Sequence, residues 1–182
     1  MVLTILAIIF IIVFIFWLIK TYNTFITLAE RVLNGKAQIA TQIESRWDAV
    51  KSLIHATKKY AQYEVETLET VTEKRVNVGK DSSINELEQD ESALNNVVGR
   101  LIAISENYPD LKASEVYKTT MDSIQKHEDN VRAARMIYND VVTKFNRQLK
   151  MFPSNIVAKL FNFTEKEYFE GTETKQEMPS WE

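Results

Sequence analysis

The chain is 182 residues long, with 22 basic and 25 acidic side chains, a formal net charge of −3 and no cysteine. Once an anchor is set aside, that length fits one domain of ordinary size. The absence of thiols excludes disulfide staples, thiolate metal sites and a cysteine nucleophile, and the mildly acidic balance without a basic face argues against a nucleic-acid partner.

Residues 2–19 read VLTILAIIFIIVFIFWLI without a charge, close to the ~20 apolar residues that cross a hydrocarbon core of about 30 Å. The run starts without a basic region and ends in bulky Phe16, Trp17 and Leu18 rather than a small-x-small cleavage site. A retained transmembrane anchor over residues 1–20 is expected, with the lipid bilayer as the partner of residues 2–19. Trp17, Lys20 and Tyr22 are placed to settle at the interface, the rings at headgroup level and the lysine by snorkelling. Lys20, Arg31 and Lys36 follow the span and no Lys or Arg precedes it. The expected arrangement is a single-pass cell-membrane protein, amino terminus outside and body cytoplasmic.

From residue 21 to 163, apolar residues recur at spacings of three and four, the helical period, so the body is expected to be all-α. Phe25, Ala29, Val32, Ile39 and Ile43 mark a first stripe, and Val50, Leu53, Tyr60, Leu68, Val71 and Val78 a second. Ile84, Leu87, Leu94, Val98, Leu101 and Ile104 mark the third. The fourth is Tyr117, Met121, Ile124, Val131, Ala134, Tyr138, Val141, Phe145, Leu149 and Phe152, close to a heptad seam.

Gly79 ends one helix, and Ser83 with Glu86 has the capping-box spacing that starts the next. Pro109 breaks the chain again, and Ser114 is a candidate cap for the fourth helix. Pairs such as Asp122 with Lys126, Glu128 with Arg132 and Asp140 with Lys144 read as surface decoration. No proline interrupts residues 22–78. One rod there would run roughly 85 Å against about 38 and 57 Å for the third and fourth helices. A bend near Arg46, Trp47 and Asp48 gives four comparable helices and an antiparallel four-helix bundle. A single long bent helix is the alternative.

Pro153 starts a short further helix in which Ile156, Val157, Leu160, Phe161 and Phe163 are too apolar to stand free. That segment is expected to cap the bundle or to contact the membrane surface. From residue 164 to 182 the chain is polar, acidic and aperiodic, which reads as an irregular or disordered tail.

Tyr22, Asn23 and Arg31 after the anchor, the stretch RWDAVKSLIHATKKYAQYEVETLETVTEKR from Arg46 to Arg75, and the stretch from Glu106 to Phe163 together resemble the LemA family. The resemblance implies a single-pass membrane protein of bacterial type with a four-helix bundle, and it implies no reaction. Where such proteins read R-x-D-L-I-P-N-L-V, with a glycine and a His-Glu further on, this chain has Lys51, Ser52, Lys59 and Tyr63 before Glu64. Without the proline, the bend near residue 48 loses its local cause.

No metal, phosphate-loop or nucleophile motif is present, and neither His55 nor His127 has a glutamate three residues before it. No catalytic, metal or cofactor residue is therefore assigned, and the chain reads as a non-enzyme. Among polar residues shared with the family, Arg46, Asp48, Glu64, Glu106, Glu128, Arg135 and Asn139 form a candidate structural network, with Glu64–Arg135 and Arg46–Asp48 plus a fourth-helix residue as natural pairs. The function expected is a membrane-tethered scaffold for a protein partner or a second copy of itself. The alternative is a sensor or carrier that binds a small amphiphile or peptide between helices.

Overall fold

The computed structural model describes residues 1–73, 78–79 and 81–170, with the side chains of Glu64, Thr67, Val71 and Glu73 outside that description. Among the described residues there are helices and turns and no strand. The helices are α1 (Val2–Thr57), α2 (Gln62–Glu73), α3 (Ile84–Asn107), α4 (Pro109–Ala113), α5 (Glu115–Lys150) and α6 (Ser154–Leu160).

The anchor and the first helix of the body are one element. α1 runs for 56 residues without a break, about 84 Å. Its residues 2–16 are exposed throughout, and it is the one described helix long and apolar enough to cross a membrane. The chain does not divide into two helices at Arg46–Asp48, as the single-helix alternative had it: Arg46 and Trp47 are buried mid-helix and Asp48 faces solvent. With lysine and serine where a proline and an asparagine were expected, no residue there forfeits a helical hydrogen bond. The chain turns at Lys58–Ala61 instead, where the amides of Tyr60 and Ala61 both donate to Thr57 O. The part of α1 beyond the span then matches the 36 residues of α5 in length.

α1 and α5 pack antiparallel, as Phe25 against Phe145, Gly35 against Tyr138 and Arg46 against Glu128 show. α3 runs antiparallel to α5 in turn, with Glu91 beside Arg135 and Ser105 beside Tyr117. α2 doubles back from the end of α1, held at its outer side by Lys58–Glu69 at 2.9 Å. The result is the up-down-up-down bundle.

The core follows the heptad seam. Tyr117, Ile124, Val131, Tyr138 and Phe145 are all buried on α5, facing Phe25, Val32, Ile39, Ile43, Trp47 and Val50 of α1. Val142 rather than Val141 is the fully buried valine, and Phe152, expected in the seam, is 80% exposed. The reason is that α5 stops at Lys150, so the seam has no helix to carry it further.

Both serine caps form. Ser83 Oγ accepts from the Glu86 amide while the Glu86 carboxylate accepts from the Ser83 amide at 2.6 Å, which also lowers the Glu86 pKa. Ser114 Oγ accepts from the Tyr117 amide. Pro109 does more than break the chain, because it opens the short α4 at its first turn, where no amide donor is missed.

Candidate functional site

Three places on the bundle concentrate chemistry. The first is a polar seam at mid-height. Arg46 of α1, 5% exposed, pairs with Glu128 of α5, and burial pulls its pKa below the ordinary value while Glu128 pushes it back up. One heptad further along α5, Arg135 pairs with Glu91 of α3, itself 2% exposed. Between them the Trp47 indole N–H donates to Asp90 at 2.9 Å. Each charge taken from water here has a mate, which is what burial demands.

Of the expected network, the structure joins Arg46 to Glu128 and pairs Arg135 with Glu91, which the sequence did not single out. Asp48 is exposed and, among the described residues, pairs with Lys51 at 3.4 Å rather than with Arg46. Glu106 is exposed on α3. The Glu64 side chain lies outside the described residues. Glu128 also keeps the expected surface contact to Arg132, at 3.7 Å.

The second place is a clamp on α5. Residues 164–170, expected to begin an irregular tail, do lack regular structure but are bound to the bundle as a strap. Asn146 donates to Lys166 O and accepts from Lys166 N, both at 2.9 Å. Asn139 does the same to Phe169, at 3.0 and 2.9 Å. Between them the Tyr138 hydroxyl donates to Glu167 O at 2.8 Å. Phe169 is 4% exposed, with the Arg135 guanidinium 5.1 Å from its ring centroid. Beyond it the Glu170 amide donates to Glu88 of α3. Burial raises the Tyr138 pKa to about 12, helped by the nearby Glu167 charge. Residues 171–182 lie outside the described residues.

The third place is the membrane-proximal end. The Tyr22 ring lies tilted against Phe161, centroids 4.7 Å apart, and Phe163 stacks on Phe25 at 4.7 Å and lies 6.4 Å from Phe145. Val157 and Ala158 are buried beneath α6, while Ile156, Leu160 and Phe161 remain exposed. The segment therefore caps the bundle with one face and leaves the other bare, level with Tyr22. Trp17 is half-buried and lies 5.6 Å from Phe14; Lys20 is exposed.

Open clefts flank the strap. One of about 340 Å³ is lined by Ala29, Val32, Leu33, Lys36, Ile84 and Tyr138 together with Glu165–Glu167. Among the described residues no group of three histidines or carboxylates is placed to hold a metal ion.

Comparison with known proteins agrees with this architecture. The profile of the LemA family matches residues 35–182. The magnetosome protein MamQ 2 of Paramagnetospirillum magneticum is 26% identical over 194 aligned positions, covering 92% of this chain and 71% of the relative. MamQ of Magnetospirillum gryphiswaldense is 25% identical over 182 positions, covering 86% and 67%. The protein LemA of Metamycoplasma hominis is 28% identical over 150 positions, covering 80% and 67%. With its family profile spanning the bundle from Gly35 onward, the chain belongs to the LemA family.

Proposed function

We propose that this protein is a non-enzymatic, membrane-tethered docking protein that holds a helical bundle upright on the bilayer for a protein partner. The observation that carries this reading is the continuity of α1, which is at once the span and the central rod of the bundle core. A stiff joint of this kind fixes the height and orientation of every side chain above it. A flexible tether would not.

Other features support it. The buried polar groups are paired with one another rather than gathered around a cavity. α5 carries Met136 and Ile137 side by side on its exposed face, the sort of apolar pair a partner helix covers. The relatives bear the names of a magnetosome protein and of LemA, neither an enzyme name. In this reading residues 2–19 cross the cell membrane once, and Lys20, Arg31 and Lys36 keep the body on the cytoplasmic side. Digestion of the body by protease added to intact cells would reverse that orientation.

The docking role is tested by placing a photo-crosslinking residue at Ile137 in the full-length protein in cells. A discrete crosslinked partner, absent when the residue sits at exposed Lys112 instead, is the expected result. Recovery of no adduct from any exposed position of α5 would end the reading. The second reading, a sensor or carrier, draws on the clefts beside the strap. Their charged rim of Lys36, Glu165 and Glu167 suits a peptide better than a small amphiphile.

A further inference from the structure

Asn139 and Asn146 lie seven residues apart on α5, about 10.5 Å along a helix, and the residues they hold lie three apart, about 10 Å along an extended chain. The two spans match in length, and the irregular backbone of the strap presents both residues to the helix. Each amide takes both the N–H and the C=O of one residue. These amide hydrogen bonds themselves select no side chain, and the hydroxyl of Tyr138 adds a third backbone contact. Side chains of the strap add contacts around this hold: Phe169 is the buried one, under Arg135, while Lys166 lies over the Phe145 ring at 5.7 Å and Tyr168 meets Thr143 at 3.4 Å.

The segment in this clamp fits it incompletely. Of residues 164–170 only Phe169 is buried. Glu167 lines two clefts at once, the one of about 340 Å³ against α1 and another of about 360 Å³ toward Asn85 and Glu88 of α3. The strap borders that first cleft with Glu165, Lys166 and Glu167, across from Val32, Leu33, Lys36 and Ile84. The acidic strap also draws on Lys150, which pairs with Glu165 at 2.9 Å across an exposed surface.

We infer that the clamp is a polypeptide-binding site, and that 164–170 is a stand-in which a partner protein's extended segment displaces. This rests on the docking reading above and names its ligand class. The segment it takes is acidic at its start, carries an aromatic residue at the Phe169 position, and has a large apolar residue at the Glu167 position that fills the cleft beside Val32 and Ile84. The strap competes with it at the high effective concentration of a tethered chain.

The test uses the full-length protein in lipid nanodiscs, with fluorescent peptides TEKEYFE, its Glu167→Leu form and its Phe169→Ala form. Phe169→Ala in the protein weakens the competing strap. That variant is expected to bind TEKEYFE more tightly than the wild type does, and the Glu167→Leu peptide about tenfold more tightly again. The Phe169→Ala peptide is expected not to bind. Asn139→Ala and Asn146→Ala, added singly, should each weaken binding about tenfold, whereas Lys144→Ala, exposed on the same helix, should not. Helicity by circular dichroism confirms that each variant is folded. No peptide binding by a folded Phe169→Ala protein, or equal binding of the Glu and Leu peptides, overturns the inference. So does a stable dimer that Phe169→Ala abolishes, which would assign the groove to a second copy. An unchanged Ile137 crosslink in the Asn139→Ala, Asn146→Ala protein would overturn the clamp as the docking site and leave the docking role standing.

Discussion

Gly35 and Tyr138 bring α1 and α5 into backbone contact: a methyl at position 35 would stand 3.4 Å from Tyr138 Cα and 3.3 Å from its Cδ2. The same tyrosine reaches over its own helix to hold Glu167 O. The spacing of the two longest helices and the seating of the strap are therefore set by one residue pair.

Replacing Gly35 tests that coupling. Alanine gains about 1 kcal/mol of helix propensity and loses a comparable amount if Tyr138 must shift, so Gly35→Ala should change stability by less than about 1 kcal/mol. Valine cannot be seated without parting the helices, and overpacking of this kind costs about 1–3 kcal/mol. Denaturant unfolding in detergent micelles, followed by circular dichroism, separates the two. A stabilised Gly35→Val would show that the close approach is unimportant.

The Arg46–Glu128 pair makes an asymmetric prediction. Glu128→Ala leaves a guanidinium 5% exposed without its carboxylate and should cost about 3 kcal/mol. The double change Arg46→Met with Glu128→Leu removes the charge with its mate and should recover most of that loss. A double variant as unstable as the single one would mean that the pair contributes more than mutual neutralisation.

What the sequence displays well is what depends on local periodicity. Tyr117, Ile124, Val131, Tyr138 and Phe145 repeat every seven residues and are buried together, and the Ser83 and Ser114 caps lie where their spacing puts them. The end of α1 is not displayed, because Thr57–Ala61 contains neither glycine nor proline. The helix stops there once the chain has run the length of its partner α5. The seam charges are legible as residues needing mates, but that Glu91 is a mate of Arg135 is not, because packing between distant segments brings the two together. The strap is the least legible of all. Asn139 and Asn146 bind backbone, which every sequence possesses, so no pattern in residues 164–170 announces the fit beyond a single buried Phe169.

Tyr138 gives the strap a pH dependence. Its pKa in the folded protein is raised from 10.0 to about 12. The neutral phenol is thus favoured by folding, and its contribution is intact below pH 10. Above that, the unfolded chain ionises first, so stability falls until the folded phenol ionises near pH 12. The difference in stability between wild type and Tyr138→Phe isolates this effect from the lysines and other tyrosines that titrate in the same range. The wild type should lose stability more steeply between pH 10 and 12, and parallel curves would show that the hydroxyl is no better held in the folded protein.

The bare face of α6 predicts where the bundle rests. Phe161 touches Tyr22, three residues past Ile19, or roughly 5 Å along the helix axis from the end of the span. At that height Met151, Phe152, Ile156 and Leu160 are exposed together, with Lys20 and Lys159 beside them. An apolar patch rimmed by lysines next to a span has lipid as its nearest solvent, and its aromatic and aliphatic side chains gain from entering the interface. Because the chain has no cysteine, a single Leu160→Cys substitution accepts one environment-sensitive dye without further changes. In nanodiscs containing brominated lipid, a dye at position 160 should be quenched and blue-shifted, while the same dye introduced by Lys112→Cys, at the far end of the bundle, should be neither. Equal emission from both sites would mean that α6 only caps the bundle, and that the bundle stands clear of the bilayer on α1 alone.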